Sequence, residues 1–177
     1  AAQPKGLPSA ADIDRGKKTD IGGGQNKTYS ALTPGGKVFV KEIGKEPKHQ
    51  RRAVAEVVAA KAAKLAGIAS PEMRLEKTKD GTRLVSAHVE GQELGALADP
   101  KGYIRSHPDE AVAMLLHNYG VGNVDAFNKN FLVAKDGKLH TIDTEYAFSS
   151  ETGSRAFNKS VNADEGNAIL HLLPDDQ

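Results

Sequence analysis

Asn123-Val124-Asp125-Ala126-Phe127-Asn128-Lys129-Asn130 runs into Phe131-Leu132-Val133-Ala134, and Asp136-Gly137 then separates that stretch from Lys138-Leu139-His140-Thr141-Ile142-Asp143. The two short apolar stretches read as strands, and Asp-Gly between them is a hairpin signal, because glycine takes a positive φ without steric cost. Closing this hairpin brings Asn130 and Asp143 together although they are thirteen positions apart, with Asp125 five positions before Asn130. Carboxylate and amide oxygens gathered in this way suit a hard divalent cation.

The rest of the composition narrows what such a cluster can serve. The chain has 177 residues, enough for one domain or for two small lobes sharing a cleft. Its formal net charge of +1 gives no basic field for nucleic acid, so no nucleic-acid partner is expected. It contains no cysteine, which excludes disulfides and thiolate metal sites. The longest helix-like apolar stretch, 53–66, is interrupted by Glu56, Lys61 and Lys64, so no membrane span is expected. Residues 1–18 are polar, charged and proline-containing and read as a flexible tail, with one lobe expected over 19–91 and a second over 92–177.

Outward from the hairpin, period-two alternation marks strands at 27–32 and 37–43 about the turn Pro34-Gly35-Gly36. Strands at 73–78 and 82–89 flank a second Asp-Gly turn, Asp80-Gly81. A helix is expected from 50 to 66, with Val54, Val57, Val58 and Leu65 at helical spacing, ended by Gly67. A second is expected over 109–119, with Ala111, Val112, Leu115 and Leu116 as its inward stripe. Pro100, Gly102 and Pro108 mark the stretch before it as a connector, and Ala168-Ile169-Leu170-His171-Leu172-Leu173 reads as a closing helix. The fold class is therefore α+β.

Phosphoryl transfer asks a protein mainly for positioning and positive charge. Gly22-Gly23-Gly24 would let backbone amides approach a phosphate closely, although a glycine triplet also serves as a plain turn. Lys41, ending Val38-Phe39-Val40-Lys41, sits one hairpin later and resembles the Val-Ala-Ile-Lys lysine of protein kinases. Glu56, the only acid in the heart of the first long helix, is placed to orient it.

From Gly22 to Phe148 the chain resembles a minimal, atypical member of the protein-kinase-like superfamily. Ile142-Asp143-Thr144-Glu145-Tyr146-Ala147-Phe148 is most similar to its divergent branches, which include lipid kinases, toxin-type kinases and secreted bacterial effector kinases of the HopBF type. The resemblance implies a small bilobal fold with an antiparallel N-lobe sheet, one N-lobe helix and a truncated helical C-lobe. It implies ATP and Mg²⁺ as cofactors, Asp125 as the base facing the acceptor hydroxyl, and Asn130 and Asp143 as metal ligands. Lys41 and Glu56 would attend the phosphates, and the backbone from Ala87 to Val89 would meet adenine. The expected acceptor is Ser, Thr or Tyr of a protein, with a host chaperone or signalling protein as partner and secretion into a host cell as the setting. The enzyme is expected to be monomeric. A lipid or small-molecule kinase, an adenylyl transferase and a pseudokinase are the other readings of the same fold.

Departures are local to the loop. Asn123-Val124 stands where conventional kinases have His-Arg, which removes the usual link to a phosphorylated activation loop. Thr144-Glu145 replaces Phe-Gly after the metal-binding aspartate, and Phe127 replaces the lysine two positions after the base. Lys129, in the same loop, is either its stand-in at the γ-phosphate or an exposed loop lysine. Glu145 is either a further metal or substrate contact or a solvent-facing residue.

Overall fold

The computed structural model describes residues 6–22, 26–123 and 128–148. Asp125, Gly23, Gly24, Phe127 and the closing run 168–173 lie outside them.

The first half of the chain builds a five-stranded antiparallel sheet. Its strands are β1 (Lys17–Asp20), β2 (Lys27–Thr33), β3 (Gly36–Ile43), β4 (Met73–Lys77) and β5 (Thr82–Ala87), in the order β1-β2-β3-β5-β4. Alternation along β3 divides its side chains between two faces. Val38 and Val40 join Tyr29, Ala31, Val85 and Ile13 in one apolar cluster. Ile43 joins Leu84, Met73 and the helix α2 (Pro47–Leu65) in another. Lys41 pairs with Leu84 across β3 and β5, so it projects on the α2 side.

Four expectations are corrected by the fold. The stretch expected as a tail carries a short helix, α1 (Ala10–Arg15), capped by Ser9, whose hydroxyl accepts from the Asp12 amide. Ile13 from this helix is fully buried against the sheet, worth roughly 2–3 kcal/mol of apolar burial. Two arginines secure the segment. The Arg83 guanidinium donates to Asp14 at 2.6 Å and to Glu76 at 2.5 Å, and Arg74 donates to the carbonyls of Leu7 and Pro8.

The inward face of α2 also differs from the valine stripe. Val57 is buried, but Val54, Val58 and Leu65 face solvent, and the buried positions beside Val57 are Ala53, Glu56, Ala59, Ala60 and Ala63. Small side chains let the helix lie close to the sheet, and that packing decides the face.

The second half is organised around a three-stranded antiparallel sheet, β6 (Gly91–Glu93), β7 (Phe131–Ala134) and β8 (Leu139–Thr141), in the order β6-β7-β8. Helices α3 (Pro100–Ser106) and α4 (Pro108–Gly120) pack on it, burying Leu94, Ile104, Ala111, Met114, Phe131 and Leu139 in one cluster. The expected connector is thus helical: Asp99 caps α3 by accepting from the Gly102 amide, and Pro100 occupies the first turn, where its missing N–H costs nothing. On α4 the buried face is Ala111, Met114, His117 and Asn118, whereas Val112 and Leu116 of the expected stripe are exposed.

The turn between β7 and β8 is the one read from Asp136-Gly137. Gly137 has φ +82°, and Asp136 accepts from the Lys138 amide at 3.1 Å. The two halves of the chain meet where Thr141 donates its amide to the Ala69 carbonyl and where Ala59, Val121 and Ala147 pack together.

Candidate functional site

The β7–β8 ladder extends one pair beyond the strands, because the Ile142 amide donates to the Asn130 carbonyl at 2.9 Å. Asn130, buried at the head of β7, therefore lies opposite the residue preceding Asp143. The hairpin gathers the two expected metal ligands at one end. Asp143 itself has φ +55°, a left-handed conformation that aspartate tolerates better than most residues.

Asp143 reaches across to the first sheet. The Lys41 ammonium donates to its Oδ1 at 2.7 Å and to Glu56 Oε2 at 3.2 Å, and it lies 3.6 Å from Glu145 Oε2. Glu56 comes from α2, Lys41 from β3, and Asp143 and Glu145 from the segment after β8. Glu145 faces Lys41 with its side chain only 24% exposed, rather than pointing into solvent.

Glu56, Asp143 and Glu145 can each aim one carboxylate oxygen so that all lie within 4.8 Å of one another. Three carboxylates around one ammonium leave an excess of negative charge. Burial disfavours charge on Lys41, but Glu56, Asp143 and Glu145 outweigh it and raise its pKa, so it stays protonated. Burial pushes Glu56 up to about 7, against the opposing pull of Lys41 and with Asp143 adding to the rise. Lys41 is raised by its carboxylate neighbours, whereas Glu56 is raised chiefly by its own burial.

This has a pH signature. The folded pKa of Glu56 exceeds its ordinary value of 4.5, so its protonated form favours the folded state. That stability is complete below pH 4.5 and lost as pH rises through about 7. In chelator-treated protein, the stability of wild type relative to Glu56→Gln is expected to fall across this window by on the order of 2 kcal/mol. Denaturant melts of both proteins at several pH values measure it, and a difference that does not change with pH would contradict the assignment.

The other expected site residues are distributed as follows. Gly22 has φ +67° with open space where a Cβ would stand, and its amide donates to Asp20 Oδ1 at 3.0 Å. Lys129 is exposed in the 3-10 turn 128–130. At the end of β5 the Ala87 amide donates to the Glu72 carbonyl, and in the segment just after it the His88 amide donates to the Lys37 carbonyl. Ala87 is thus no amide donor for a base, and the amide that segment keeps among the described residues is that of Val89. His88 tilts its ring against Phe39, and burial and Lys37 lower its pKa. A cavity of about 830 Å³ borders 87–90, lined also by Lys37, Glu72 and His140 but by neither Lys41 nor Asp143. It is separate from the carboxylate cluster.

A buried amide pair went unnoticed in the sequence. Asn123 Nδ2 donates to Asn118 Oδ1 at 2.8 Å, Asn118 Nδ2 donates to the Met114 carbonyl at 2.9 Å, and the Asn123 amide donates to the Asn118 carbonyl. Both side chains are essentially inaccessible. They tie the start of the 123–130 loop to the end of α4, and two asparagines five positions apart beside a helix end were the available signal.

No protein-family model matches the chain, and the curated proteins include no significant match to it.

Proposed function

We propose that this chain is a Mg-ATP-dependent phosphotransferase with a minimal protein-kinase-like fold. The observation that carries this reading is Lys41, held from one sheet between a helical carboxylate, Glu56, and Asp143 from the second sheet. A strand lysine held by a helix glutamate, beside an aspartate that follows a hairpin, is the arrangement protein kinases use around the phosphates of ATP. The order of the five strands, with α2 between β3 and β4, supports the same reading.

The donor set fits the implied cofactors. Asn130, Asp143 and Glu145 offer hard oxygens suited to Mg²⁺, and the surplus of carboxylates favours a divalent cation. When bound, Mg-ATP supplies the transferable phosphoryl group and neutralises charge between the phosphates. Lys41 would orient the phosphate oxygens, Glu56 keeps Lys41 in place, and Gly22 leaves room for backbone approach. Asp125 accepts the proton of the attacking hydroxyl, and Lys129 lies in the same loop. The Val89 amide is the donor for the purine.

The acceptor is a Ser, Thr or Tyr hydroxyl of a protein. The resemblance to HopBF-type effectors extends the proposal to a secreted enzyme acting on a host chaperone or signalling protein, by analogy of sequence alone. The missing His-Arg implies activity without activation-loop phosphorylation, and the buried Asn123–Asn118 bond ties Asn123 to the end of α4.

A thermal-shift titration followed by γ-labelled ATP with a cell lysate tests the reading. The expected result is a melting-temperature rise that needs both ATP and Mg²⁺, together with transfer of label to protein. Silence in both assays would remove it in favour of an interaction module, and intact-mass analysis of labelled products separates phosphoryl from adenylyl transfer.

A further inference from the structure

Helix α4 is apolar on two sides. Its inner side buries Ala111 and Met114, and its outer side presents Val112 at 43% and Leu116 at 62% exposure, with Leu115 half-buried between them. An apolar stripe along a helix is normally a side that it packs with.

The described chain ends at the place from which it can be covered. The Phe148 amide donates at 2.7 Å to the carbonyl of Val121, the residue that closes α4. Residues 149–177 continue from there, and they include Ala168-Ile169-Leu170-His171-Leu172-Leu173, an apolar run bounded by Asp164-Glu165 before it and Asp175-Asp176 after it. The connecting stretch 149–167 can extend on the order of 60 Å. Thirteen residues of α4 span only about 20 Å.

A rival surface exists on α2, where Val54, Val58 and Leu65 are exposed. It lies on the wrong side. Tyr146 stacks against Arg52 and Ala147 packs on Ala59, and at 100° per residue Arg52 and Ala59 are on the opposite side of α2 from Val54 and Val58. Reaching them takes a longer path round the helix, and Lys61 and Lys64 interrupt that stripe.

We propose that the segment Ala168–Leu173 of this same chain docks along Val112, Leu115 and Leu116, closing the outer side of α4. The contact is intramolecular and independent of the phosphotransfer reading. It completes the second core with residues from the far end of the chain.

The absence of cysteine makes this directly testable. Leu116→Cys is combined in turn with Ile169→Cys, Leu170→Cys, Leu172→Cys and Leu173→Cys in the full chain, and Val58→Cys with Leu170→Cys serves as the comparison. Reduced proteins whose circular dichroism matches the parent are oxidised at low concentration and analysed by non-reducing electrophoresis and peptide mapping. At least one Leu116 pairing is expected to close within a single chain about tenfold faster than the Val58 pairing, since a disulfide needs Cα atoms within about 7 Å. Equal or faster closure at Val58, disulfides only between chains, or no closure in any Leu116 pairing would overturn the proposal.

Discussion

Asp143→Asn is expected to reduce Mg-ATP-dependent phosphate transfer by on the order of 10³-fold while leaving the melting temperature almost unchanged. The reasoning separates chemistry from stability. Asp143 is 41% exposed at its side chain and its contact is to Lys41, which keeps Glu56 and Glu145 as partners when Asp143 loses its charge. Asparagine matches aspartate in shape and tolerates the left-handed φ of +55° found here. Asp143→Ala should lose the same activity and also cost about 1 kcal/mol, because alanine is strained at that φ. Unchanged turnover in Asp143→Asn, measured with labelled ATP, would sink the proposed metal role.

The second large effect is expected at Lys41→Met. Methionine keeps most of the apolar stem but leaves Glu56, Asp143 and Glu145 facing one another without their cation. Transfer should fall by on the order of 10²–10³-fold, as when a preorganised donor to a transition-state oxygen is removed. The same variant should bind Mg²⁺ alone more tightly than wild type, since no ammonium competes for the carboxylates. Calorimetry with Mg²⁺ in the absence of nucleotide measures this. Tighter metal binding with full activity would mean that Lys41 is only a counter-ion, and loss of activity with weaker metal binding would mean that the cluster is not a cation site.

Sequence patterning anticipated the strands well, because alternation and the two Asp-Gly turns are local signals. Lys41, Glu56 and Asp143 could be picked out for a similar reason: each sits at a recognisable point relative to a turn, a helix or a hairpin. What escaped were features set by packing between distant segments. Lys17-Lys18-Thr19-Asp20 has no apolar residue, so nothing in it announces the edge strand it forms against β2. The inner face of α2 is written in alanine, and the more hydrophobic valines Val54 and Val58 pointed to the solvent side. Met114, His117 and Asn118 form much of the buried side of α4, and two polar residues on a core face defeat a reading based on apolar spacing. The Asn118–Asn123 bond is invisible to patterning because it depends on how the helix ends.

The clamp on α1 bears on the order in which the molecule is made. Helix α1 has six residues, too few to persist alone in water, and its polar anchors are Arg74 and Arg83. Asp14 and Arg83 are 69 positions apart, and Arg74 is 67 positions from Leu7. A ribosome therefore makes α1 well before the two strands that carry its clamp. Ile13 can meet β2 and β3 early, but the polar clamp on α1 closes only when β4 and β5, which carry Arg74 and Arg83, have been made.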